Sequence, residues 1–87
     1  MPYIKKEKRP AIDKLLDPLI NYLGKVPLEE QDGEVSYAIT RIMKSTYKGR
    51  YFNFNRGIGV LSAALHEFYR HVIGPYEDNK IKENGDV

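Results

Sequence analysis

Apolar residues recur at helical spacing in three stretches of this chain, and nowhere do they alternate as a half-buried strand requires. In the first stretch Ile12, Leu15, Leu16, Leu19, Ile20 and Leu23 keep one register. Pro10 suits a first helical turn and Gly24 an end, so a helix is expected over 10–24. Pro18 interrupts it chemically, withdrawing an amide donor and crowding the turn before it, which predicts a kink near Asp17 or a fresh start capped by Asp17. Residues 25–31, with Pro27 and three acidic or amide side chains, read as a loop.

A second helix is expected over 33–48, capped by Asp32-Gly33 and stopped by Gly49, with Val35, Ala38, Ile39, Ile42, Met43 and Thr46 facing inward. The third, over 53–74, starts from an asparagine cap at Asn53 or Asn55 and ends at Gly74-Pro75, where proline disfavours helix in the residue before it. Its apolar line is Ile58, Leu61, Leu65, Phe68 and Val72. Residues 75–87 form a polar tail with Tyr76 and Ile81 as apolar anchors, either disordered or laid as a short helical or extended arm against a neighbour. The expected fold is all-α, a small bundle of three helices in one domain, preceded by a basic arm at 1–9.

Size makes association part of that expectation. A chain of 87 residues leaves much of its surface wet unless a partner covers it, so the bundle is expected to be completed by homo-oligomerisation. With no cysteine, neither a disulfide framework nor a thiolate zinc site can replace packing. No apolar run reaches the length of a membrane span, and no hydrophobic segment follows the basic N-terminus as in a secretory signal. A cytoplasmic location without membrane contact is therefore expected. The net charge of +2 is too thinly spread to demand a nucleic-acid partner, since twelve acidic residues are interspersed among fourteen basic ones.

The chemistry-bearing residues lie opposite the apolar lines. On the third helix Arg56, Gly59, Ala63, His66 and Arg70 form a second line in which small residues separate guanidinium groups. That arrangement lets a flat anion approach and meets it with forked donors. On the second helix Tyr37 stands one turn from Arg41, and the pair can stack on a base or simply belong to a solvated face with Glu34, Lys44 and Lys48. Asn55 either caps its helix or reads a base edge. The candidate ligand-binding set is thus Tyr37, Arg41, Asn55, Arg56, His66 and Arg70.

Catalysis is not expected. His66 and His71 are five residues apart, whereas a zinc-binding helix motif needs four, leaving at most a Glu67 and His71 pair. Gly57 and Gly59 lack the preceding strand of a dinucleotide loop, and no serine or cysteine nucleophile sits beside a histidine. No metal and no cofactor are expected.

Five segments carry a likeness. MPYIKK at the start, GEVSYAITR at 33–41, NRGIGVL at 55–61, EFYRHV at 67–72 and PYEDNKIKENGDV at 75–87 resemble a family of short proteins of phages and prophage-bearing bacteria, usually described only as a domain of unknown function. Gly57 stands where that pattern has alanine, and Ser62-Ala63-Ala64 where it has bulkier residues. The resemblance implies a host-cell setting and stoichiometric binding. One form is sequestration of a nucleotide signal of antiviral defence in pockets between subunits. Another is capture of a host protein through an aromatic patch of Tyr51, Phe52, Phe54 and Tyr76. A duplex-DNA reading, with Asn55 and Arg56 entering the major groove, is disfavoured by the long Tyr47–Phe52 connection and the thin basic stripe.

Overall fold

Two prolines and two glycines decide where the helices begin and end. The computed structural model describes residues 3–87, and every regular element among them is helical. The all-α expectation is met. The elements are a 3-10 turn at Lys6–Lys8, α1 (Arg9–Gly24), α2 (Leu28–Thr46), α3 (Tyr51–Phe68), a π-helical turn at Tyr69–Ile73 and α4 (Gly74–Asn84). The chain divides into two units, Met1–Lys48 and Gly49–Val87.

In the first unit the basic arm is not loose. Lys8 N–H donates to the Lys5 carbonyl at 3.0 Å, and the Arg9 guanidinium donates to the Ile4 carbonyl at 3.2 Å. The first two positions of that arm lie outside the described residues. Helix α1 carries Pro10 in its first turn and runs unbroken through Pro18, so the fresh start at Asp17 does not occur.

The segment expected as a loop over 25–31 is mostly helix. Pro27, with φ −54° and ψ 143°, is the cap of α2, and Leu28 is its first residue. Glu29 and Glu30 occupy the first turn, where acidic side chains favour the positive end of the helix dipole. Asp32-Gly33 is therefore inside α2 and caps nothing. A three-residue connection forces α2 back along α1, and Gln31 ties the two by donating its side-chain amide to the Leu23 carbonyl at 3.0 Å.

In the second unit the asparagines do not cap α3. Arg50, extended at φ −146°, holds that place, and its carbonyl accepts from the Asn53 and Phe54 amides. Nor does α3 stop at Gly74-Pro75. Gly74 is helical at φ −55° and its N–H donates to the Tyr69 carbonyl five residues back, the bond of a π-turn. Widening the turn accommodates the proline, which has no N–H to give and a ring that would crowd a regular α-turn. Of the alternatives for the polar tail, the helical one is found: Gly74–Asn84 form α4. It is supported by a Tyr69 hydroxyl donating to Glu77, a Lys80–Glu83 ion pair at 3.2 Å and Lys80 over the Tyr76 ring at 5.6 Å. Gly85, at φ +88°, ends it.

The interior is where expectation and structure part most. Among the described residues Gly57 is the only buried one, and no side chain is buried. On α1 only Leu19 and Leu23 of the expected core line are even half-buried, while Leu15 is 79% exposed. On α2 the half-buried residues include Val35, Ala38 and Met43, with Ile39 and Ile42 exposed. Two helices cannot enclose a core by themselves, and each described unit consists of one hairpin or one long helical run.

The glycines give a contrast that stability measurements can read. Gly49 has φ +87°, a left-handed conformation that costs an L side chain about 1–2 kcal/mol, so Gly49→Ala is expected to destabilise by that amount in denaturant unfolding. Gly74 is already helical and an added Cβ would meet only the Tyr69 carbonyl oxygen, at an ordinary 3.5 Å. Gly74→Ala is expected to stabilise by up to about 1 kcal/mol, and a loss of stability there would contradict the helical course through Pro75.

Candidate functional site: a groove on the helical hairpin

Residues one turn apart on α2 point the same way, and α1 supplies the opposite bank. Glu34, Tyr37, Ala38, Arg41 and Ile42 of α2 face Leu19, Tyr22 and Leu23 of α1 across a groove of about 520 Å³, with Gly33 at its margin. That volume is within the range of small-molecule sites. The groove has an apolar floor in Leu19, Leu23, Ala38 and Ile42. Its polar groups sit towards the two ends, Glu34 at one and Arg41 at the other, separated by seven residues or about 10 Å along the helix. Tyr37 lies between them, exposed, its hydroxyl 3.5 Å from the Arg41 guanidinium.

The acidic end is already organised. The Tyr22 hydroxyl donates to a Glu34 carboxylate oxygen at 2.6 Å, joining α1 to α2. Gly33 contributes space, since a Cβ there would meet nothing within 4 Å. A second depression of about 320 Å³, along Gln31, Asp32, Val35, Ser36, Ile39 and Thr40, offers no cation to an anionic guest.

The expected ligand set is thus divided. Tyr37 and Arg41 are brought together. Asn55 and Arg56 lie in the first two turns of α3, His66 in its last turn and Arg70 in the π-turn, all of them exposed. Arg56 and Arg70 share a side of the helix but stand fourteen residues, about 21 Å, apart along its axis, so one copy does not clamp a single phosphate between them. Arg56 donates to the Asn53 side-chain oxygen at 3.2 Å, and the Arg70 guanidinium lies 3.5 Å from the His71 ring. His71 pairs with Glu67 at 3.0 Å. Among the described residues no cluster of three or more histidines or carboxylates could hold a metal.

Tyr22 and Glu34 were not singled out by the sequence pattern. Their contact joins positions twelve residues apart across a turn, and only the start of α2 at Leu28 brings them level.

The described residues form an all-helical chain with an open groove on its hairpin. The chain belongs to the family described as Domain of unknown function (DUF6899), which matches residues 1–87. No curated protein and no solved structure matches it. No helix among the described residues is long and apolar enough to cross a membrane.

Ionisation of Tyr22 offers a direct check on the hydrogen bond across the groove. The bond to Glu34, then the charge of Glu34, then burial and the charge of Glu30 hold its pKa above the ordinary 10.0. The proton is thus kept more tightly in the folded chain, and the tie between α1 and α2 is fully present below pH 10.0 and lost as pH rises through the raised value. The difference between the tyrosinate absorbance titrations of wild type and Tyr22→Phe isolates this group. It is expected above pH 10.0, and in the Glu34→Gln background it is expected to move down; an unmoved curve would contradict the contact.

Proposed function

We propose that this chain is a non-catalytic binding protein that takes up an anionic nucleotide in the α1–α2 groove, in an assembly of identical copies. The observation that carries this reading is the order of groups along one face of α2. The Glu34 carboxylate can accept from a base amine or ribose hydroxyl, the Tyr37 ring offers a stacking plane and the Arg41 guanidinium offers a fork for phosphate. Glu34 would repel a phosphate, so the guest lies with its charge at the Arg41 end. The groove is open, and a further copy is needed to close it and to bring the basic line of Asn55, Arg56, His66 and Arg70 to bear on a larger, multiply charged guest. The resemblance to short phage proteins adds the setting: sequestration, in the host cytoplasm, of a cyclic nucleotide signal of antiviral defence.

A second reading, capture of a host protein, is favoured by a different observation. Tyr51, Phe52, Phe54 and Tyr76 of the second unit are all more than half exposed, and exposed aromatic groups are the usual anchors of a protein interface.

Calorimetry of the purified chain against cyclic di- and trinucleotides separates the two. Saturable uptake is expected, weakened at least about tenfold in Arg41→Ala, which is about 1.4 kcal/mol. Gly33→Leu is expected to abolish uptake by filling the groove while leaving every charge in place. Absence of uptake, or uptake indifferent to both substitutions, would overturn nucleotide binding and move the protein-capture reading ahead.

A further inference from the structure

We propose that α3 pairs with α3 of a second copy, antiparallel, along the line Phe54, Ile58, Leu61, Leu65, Phe68 and Val72. The inference specifies the seam of the assembly invoked above, and it rests on that reading only in requiring that copies associate.

The first ground is the composition of the helix in the round. From Gly57 to Leu65 no charged residue occurs on any side of α3, and Ser62 is the only polar one. A helix that is apolar all round is stable only when covered all round. None of the apolar side chains of α3 is buried.

The second is which side lies open. The least exposed residues of α3 are Asn53, Gly57, Ala63 and Glu67, whereas the most apolar line is the open one, with Ile58 at 67% and Leu65 at 62% exposure. Each of its six side chains leaves on the order of 100 Å² accessible, or about 600 Å² together. Adding Tyr51, Tyr69 and Tyr76, which are also exposed, brings the face to about 900 Å². A standard interface takes about 800 Å² from each partner.

Length and charge then select the occupant. Exposed apolar positions on this helical run extend from Tyr51 to Ile81, about 45 Å at 1.5 Å per residue, whereas α1 and α2, of 16 and 19 residues, reach only about 24 and 28 Å. A second copy of the run has the matching length. Antiparallel pairing centred near Ser62 sets Ile58 of one copy beside Leu65 and Phe68 of the other, and Phe54 beside Val72. It also brings Arg50 within about one helical turn of Glu77 and Asp78 across the seam, and it opposes the helix dipoles favourably. Parallel pairing would instead set Arg50 beside Arg50 and Glu77 beside Glu77. The basic line of α3 points away from the seam in either case and stays open to a guest. Ser62 and Ala64, next to Leu61 and Leu65, keep the flanks of the line small.

Sedimentation of the full chain at tens of micromolar, with no nucleotide added, tests the pairing. Wild type is expected at twice 10.1 kDa or an even multiple of it, and Ile58→Glu and Leu65→Glu at 10.1 kDa with helical circular dichroism retained. A wild-type mass of 10.1 kDa would overturn the proposal. So would assembly that survives both glutamates, although that result would leave nucleotide binding in the groove standing. The natural absence of cysteine permits a conservative second test. Oxidised Leu61→Cys is expected to cross-link to its own copy near the two-fold axis. Val72→Cys is expected not to, because its two copies would lie about 30 Å apart while a disulfide needs Cα atoms within about 7 Å. Equal cross-linking at both positions, or none at position 61, would overturn the antiparallel seam.

Discussion

Apolar surface that the described units leave uncovered is the constraint on which the other features depend. Each helix of this chain is amphipathic enough to need a neighbour, yet no described side chain is buried. The hydrophobic effect rewards only surface that leaves water, at about 25 cal/mol per Å². Leu15, Ile58 and Leu65, all more than 60% exposed, contribute little until something covers them. In the proposed pairing of copies, folding and association are coupled, and a guest is taken up by the assembly.

Local contacts hold the elements in shape. Gln31 bonded to the Leu23 carbonyl and Tyr22 bonded to Glu34 fix the hairpin at its turn. In the second unit the π-turn carries the helix across Gly74-Pro75, and Tyr69 bonded to Glu77 spans that turn. These are mostly exposed polar contacts, each of modest net worth in water. They set direction and register, leaving the larger apolar contribution to packing between elements and, in the proposed assembly, between copies.

The sequence made some of this plain and hid the rest for identifiable reasons. Three helices were legible because leucine, isoleucine and valine recur every three or four residues over long spans. The pairing of Tyr37 with Arg41 was legible because residues four apart on a helix are neighbours. The start of α2 was not, because Pro27 and the polar run after it look like a loop, whereas proline caps the helix and the glutamates favour its first turn. The continuation past Gly74-Pro75 was hidden because a π-turn depends on one shifted hydrogen bond that no residue type announces. The groove itself escaped notice for a third reason. Tyr22 and Glu34 meet only through the tertiary path of the hairpin, and helical periodicity carries no information about that path.

The dependence of folding on association is tested most directly by melting the wild-type chain at two protein concentrations about a hundredfold apart. An obligate assembly gains about 2.7 kcal/mol from that change by mass action, and its Tm is expected to rise by roughly 5–10 °C. A Tm that does not move with concentration would mean that one copy covers its own apolar faces, and would contradict the account.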